Sequence, residues 1–174
     1  FVLKEEKGLV QRLLDESVRR LKDGDEGKDG LAYATRGFLA TLAARTKQLD
    51  HAEKLYRSCM GRQDGPAEME ADVYSGLIRV LRLRYKHEAI VEVCKTGLKN
   101  AQATNRLLFH TEMGRAYQYL EKHDEAVKTF EQAVQESGKS QKLYCKRLHI
   151  DALTAAGSHE KALSECLALV KEYN

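Results

Sequence analysis

The sequence predicts an all-α fold: a right-handed superhelical solenoid of about four antiparallel helix pairs behind an N-terminal helix. Three observations carry this. Apolar residues recur three and four positions apart along most of the chain, which places them on single helix faces. The alanines Ala52, Ala89, Ala126 and Ala162 each follow a polar turn and stand 37, 37 and 36 residues apart; such a period marks stacked helical units. One proline, Pro66, in 174 residues leaves long helices unbroken. A helix pair cannot bury its apolar face alone, so stacking of neighbours must supply the core.

Composition narrows the class. Apolar residues at 43% and charged residues at 32% describe a folded helical protein rather than a disordered one. No apolar run approaches the ~20 residues of a membrane span. A net charge of +3 leaves no strong footprint for nucleic acid or an anionic membrane. Cys59, Cys94, Cys145 and Cys166 are widely spaced and lack a CxxC pair, so neither zinc nor redox chemistry is indicated. They read as reduced, buried small residues, with Cys59 and Cys166 at core positions. That points to a reducing compartment, taken as the cytoplasm. The chain begins at Phe1 rather than Met, which reads as a piece of a longer protein.

Residues 1–30 are expected to form an N-terminal helix and a flexible loop, with the helix packing on the first repeat. Over 2–22, Leu3, Val10, Leu14, Val18 and Leu21 make an apolar stripe, supplemented by Leu9 and Leu13. Three glycines among charges follow, from Lys22 to Gly30. The acidic spacing there invites a calcium loop counted from Asp23, but Gly27, Lys28 and Ala34 occupy three places that such a loop needs. Residues 31–174 then divide into repeats at 31–66, 67–103, 104–139 and 140–174. Between the first two, Arg62–Pro66 reads as a longer turn.

The third repeat is the cleanest. Leu107, His110, Met113, Gly114, Tyr117 and Leu120 share one helix face, and Gly114 on that face implies a close backbone approach. After a polar turn, Asp124 stands where a helix N-cap belongs. Ala126, Val127, Phe130, Ala133 and Val134 form the second stripe, and Gly138 stands where a C-cap belongs. Two amphipathic helices joined by so short a turn pack antiparallel.

On these residues the chain resembles the tetratricopeptide repeat family. With Leu107 as position 1, Gly114 matches the small position 8, Tyr117 the aromatic position 11, Ala126 position 20, Phe130 position 24 and Ala133 position 27. His110 stands where the family usually has Trp, and Gly138 where it has Pro. Arg36 and Lys146 occupy places that the family makes apolar. The resemblance implies a concave groove lined by the first helix of each repeat, at positions 2, 5, 9, 12 and 13. Carried across, these include Tyr74, Ile78 and Arg82, then Leu108, Arg115, Gln118 and Tyr119, then Tyr144, Arg147 and Asp151, with Arg45 in the first repeat. Gly37 and Thr41 replace the Lys and Asn of the chaperone-tail clamp found in some members. Aromatic and arginine side chains anchor interfaces well. The expected partner-binding residues are therefore Tyr74, Arg82, Arg115, Tyr119 and Arg147, receiving a peptide or helical segment of another protein, acidic in character.

No catalytic residue or cofactor is expected. The chain has no GxSxG, no HExxH and no glycine-rich phosphate loop. His51, His87, His123 and His159 stand 36 residues apart. Equivalent positions on successive repeats are at least about 8–10 Å apart, too far to share a zinc ion at ~2 Å. They read as polar turn residues. The basic run Arg79–Lys86 lies near a helix end, where cations favour the helix dipole. The alternative to a groove-binding adaptor is a structural or self-association module of a longer repeat protein, and behind it an RNA-binding helical repeat.

Overall fold

The computed structural model describes residues 2–22, 32–60, 67–99 and 106–173, and among them it is all helix and turn, with no strand. The helices are α1 (Val2–Lys22), α2 (Tyr33–Arg45), α3 (Leu49–Cys59), α4 (Ala67–Leu83), α5 (His87–Lys99), α6 (Arg106–Tyr119), α7 (His123–Glu136), α8 (Lys139–Ala155) and α9 (His159–Tyr173). The loop read at 23–30 and the turn read at 62–66 lie outside the described residues. The chain forms two compact units, Phe1–Tyr85 and Lys86–Asn174.

In the first unit α1 packs against α3 and α2. Leu14 and Val18 are buried, whereas Leu9 and Leu13 are exposed. His51 fixes the contact with a 2.8 Å hydrogen bond to Asp15. The α3–α4 seam is ionic. Glu53 is buried and receives Arg57 at 3.0 Å and Arg84 at 2.5 Å, while Arg84 also pairs with Asp50. Two guanidinium groups on one buried carboxylate meet the condition under which burying that charge is tolerated. The polar residues at family-apolar places are explained the same way. Arg36 is buried and donates to the Ser58 carbonyl at 3.2 Å, in the last turn of α3. Lys146 on α8 pairs with Glu172 on α9.

In the second unit α6 packs against α5 and α7, and α8 against α7 and α9. The close approach expected at Gly114 is present, but a ring makes it rather than a backbone. A Cβ built on Gly114 would lie 2.6 Å from the Phe130 ring. Gly97 receives the Phe109 ring in the same way, and in the first unit Gly76 receives Tyr56. Each missing side chain leaves room for an aromatic one, which buries a large apolar area.

One turn recurs between paired helices. Lys47, Tyr85, Glu121 and Gly157 have φ of +62°, +55°, +57° and +74°. The N–H groups of Gln48, Lys122 and Ser158 reach back to the carbonyls of Ala43, Tyr117 and Leu153 at 2.8–2.9 Å. Those of Lys47, Glu121 and Gly157 reach Ala44, Gln118 and Thr154 at 3.0–3.2 Å. This double bond set with a left-handed residue is a Schellman ending, and it satisfies the last carbonyls of the first helix.

Three expectations are corrected. Lys122, not Asp124, is the N-cap residue of α7, and no side chain caps it; Asp124 sits in the first turn, where its charge suits the helix dipole. Gly138 does not close α7: Ser137 does, and Gly138, with extended φ of −70° and ψ of 168°, is the N-cap of α8. Cys59, Cys94 and Cys145 are buried, but Cys166 is exposed. Burial pushes the thiols of Cys94 and Cys145 up, so both stay protonated near neutral pH.

Candidate functional site

The expected groove residues fare differently. Tyr74 does not present a surface: it is 1% exposed, and so is Ile78. Val73, Tyr74, Leu77, Ile78, Val80 and Leu81 are all buried. That arc is too wide for one face, so α4 is covered on two sides and position 74 falls inside the core. Arg82 is exposed at the end of the same helix.

In the second unit Arg115 is half-buried and held from two sides. It pairs with Glu112 at 3.1 Å, donates to the Tyr144 hydroxyl, and lies 6.0 Å from the centre of the Tyr144 ring. Part of its charge is therefore met locally by Glu112. Tyr119 is 69% exposed and stacks on His87, with ring centres 4.5 Å apart at 11°. Arg147 is exposed on α8, one turn from Tyr144. The structure thus joins Arg115 to Tyr144, which the resemblance placed on the same face, and gives Tyr119 a histidine platform.

The sequence missed a hollow in the first unit. It measures about 250 Å³ and is lined by α2, α3 and α4. Ala34, Gly37, Phe38 and Thr41 form one wall, Met69 and Asp72 the other, and Tyr56 closes the floor. Phe38 is 68% exposed beside it, and Thr41 shares a 3.0 Å hydrogen bond with the Tyr56 hydroxyl. Gly37 and Thr41 carry its signal in the sequence: small residues at the groove positions leave the space open.

A second hollow, about 290 Å³, lies among α7, α8 and α9 over Val134, Ile150 and Ala168. Most of its charged rim is already engaged, since His149 lies 2.9 Å from Glu165 and Lys146 pairs with Glu172. Among the described residues no three or more His, Cys, Asp or Glu are grouped to hold a metal, and no helix is long and apolar enough to cross a membrane.

Residues 109–139 match the tetratricopeptide repeat family. That is the pair α6–α7, the unit with Gly114 facing Phe130. Over nearly the whole chain the fold is similar to solved tetratricopeptide-type structures. The MamA protein aligns with a TM-score of 0.62 at 15% identity, covering 97% of this chain and 85% of that one. A putative kinesin light chain from Podosopora anserina, with nearly identical TPR-like repeats, aligns with a TM-score of 0.62 at 20% identity, covering 97% and 90%. A point variant of that protein gives 0.62 at 19%, covering 95% and 87%. No curated protein sequence matches the chain. The resemblance to tetratricopeptide repeats holds in sequence over one repeat and in fold over the rest. It indicates a protein-interaction or scaffold module.

Proposed function

We propose that this chain is a non-catalytic adaptor that holds a segment of a partner protein against the first helices of its pairs. The observation that carries this reading is the hollow at Gly37, Phe38 and Thr41. It lies on the positions that tetratricopeptide repeats turn to their groove, it is open, and an exposed aromatic side chain stands at its edge. An apolar side chain of the partner seats there beside Phe38. The exposed Arg82 and Arg147 favour acidic residues in the bound segment, and Arg115 with Tyr144 offers a pre-set guanidinium and ring. Pairing with Glu112 lowers what Arg115 contributes as a bare charge. The four free cysteines support a cytoplasmic setting.

The test is capture of binding proteins on the immobilised chain, then titration of the identified partner with variants. Phe38→Ala should weaken binding about tenfold or more, as loss of an interface anchor does, with unchanged helicity. The double change Arg115→Ala and Arg147→Ala should lower the association rate and flatten its salt dependence. Binding that survives both with its salt dependence intact would end this proposal.

A further inference from the structure

α9 carries more apolar surface than its neighbour covers. Ala162 is buried with Ile150 and Leu153 of α8, and Leu169 packs against them. A second stripe, Leu163, Cys166, Leu167 and Val170, follows the i, i+3, i+4, i+7 spacing of one helix face. It points away from that contact: Leu163, Leu167 and Val170 are 62%, 55% and 56% exposed, and Cys166 is exposed with them. Single exposed leucines need no explanation, but a four-residue stripe along two turns of one helix does.

We propose that this face binds the same face of a second copy of the chain, in an antiparallel, two-fold symmetric contact. The stripe is self-complementary when reversed. With the axis between positions 166 and 167, Leu163 lies opposite Val170 of the second copy, and Cys166 opposite Leu167. The flanking charges select this direction. Glu160 and Lys171 lie on one flank of the stripe, eleven residues or about three turns apart. In an antiparallel pair like flanks meet, so Glu160 of each copy comes within about two residues, ~3 Å along the axis, of Lys171 of the other. That offset is within reach of a lysine side chain. A parallel pair sets this flank against the one with His159 and Cys166, where neither charge gains an opposite partner. The two-fold axis makes every contact twice and brings the two Cys166 side chains onto one flank, about one residue (~1.5 Å) apart along the axis. A contact of this extent falls at the small end of specific interfaces, below about 1,200 Å² in total. The dimer is therefore reversible and concentration-dependent. It uses α9 alone and does not depend on the groove.

Sedimentation equilibrium over a concentration series tests this on the chain as it stands. The chain should pass from monomer to dimer, and Leu167→Lys should weaken the dimer at least about tenfold with helicity unchanged. Glu160→Lys and Lys171→Glu should each weaken it roughly three- to tenfold, because the axis doubles the change. The two together should restore it. A short bis-maleimide should link Cys166 to Cys166, since the other three cysteines are buried. A chain that stays monomeric throughout overturns the proposal. So does a dimer indifferent to Leu167→Lys, or one that the paired charge reversal fails to restore.

Discussion

α7 and α9 are the same element of successive repeats, built to one template and packed differently. Each opens with His and places a buried Ala three residues on, Ala126 and Ala162. Beyond that they diverge. α7 lies between α6 and α8 and buries Phe130 completely. Thirty-six residues later stands Cys166, exposed on α9. The facing position on the first helix explains the exchange. Opposite Phe130 is Gly114, with its side chain missing, and Ala152 of α8 packs against the same ring; the residue on α8 that matches Gly114 is Ile150, buried with Leu153 and Ala162. Bulk has moved from the second helix to the first, and α9 carries its surplus as Leu163 and Leu167 on the outer side. Core volume is shared between facing positions, so a family pattern read one position at a time misplaces a residue whose neighbour has changed size.

The largest effect should come from cutting the same template in the two places. Phe130→Ala leaves a ring-sized cavity over Gly114 and should cost about 3–5 kcal/mol. Leu167→Ala removes a side chain that is already in water and should stay within about 0.5 kcal/mol at concentrations where the chain is monomeric. Denaturant unfolding reads both. Similar costs at the two positions would mean that α9 is covered like α7 and that the stripe is not a free face.

Much of this fold was legible because it rests on period. The alanine marker found all four second helices, and Ala52, Ala126 and Ala162 are buried as a packing marker must be. Gly114 was legible because a glycine on an apolar helix face costs stability unless something occupies its space. What was not legible depends on pairs of residues distant in sequence. Tyr74 is inside because α4 is covered on two sides, which no single-helix stripe reveals. Arg36 and Lys146 looked like flaws in the pattern until Ser58 and Glu172 met them. The hollow at Gly37 is defined by absent volume, and a sequence shows absence only when the surrounding residues are placed.

Acid should act next on the pair α6–α7. His110 stands in the place of the family's tryptophan and is buried, with its Nε2 3.4 Å from Glu136. Burial, the dominant cause, lowers its pKa below 6.5 despite that carboxylate. The unfolded chain then binds this proton more readily than the folded one. Stability is unaffected well above pH 6.5 and falls as pH drops through 6.5 toward the lowered value. Glu136, held below the usual carboxylate range by Arg106, adds a second loss as pH falls through 4.5. Titrating stability against pH for the chain and for His110→Phe checks this. The variant should lose the upper part of the acid decline and keep the lower. An identical decline in both would show that His110 does not carry it.

The smallest effect tests the one feature that the repeats share regardless of covering. The same left-handed turn residue is Lys47, Tyr85 or Glu121 in three turns and Gly157 in the fourth. A side chain in this conformation costs roughly 1–2 kcal/mol. Glycine removes that cost but gives the unfolded chain extra freedom, worth about 0.4–1 kcal/mol. Glu121→Gly should therefore stabilise by a net of about 0.5–1 kcal/mol, and Gly157→Ala should destabilise by a similar amount. Both turns keep the same two backbone hydrogen bonds, so the difference isolates the conformation of one residue. Glu121 is exposed, which keeps lost packing out of the comparison. Thermal or denaturant unfolding should give opposite signs for the two substitutions. A loss at both would show that the side chain of Glu121 supports its turn by more than the strain it brings.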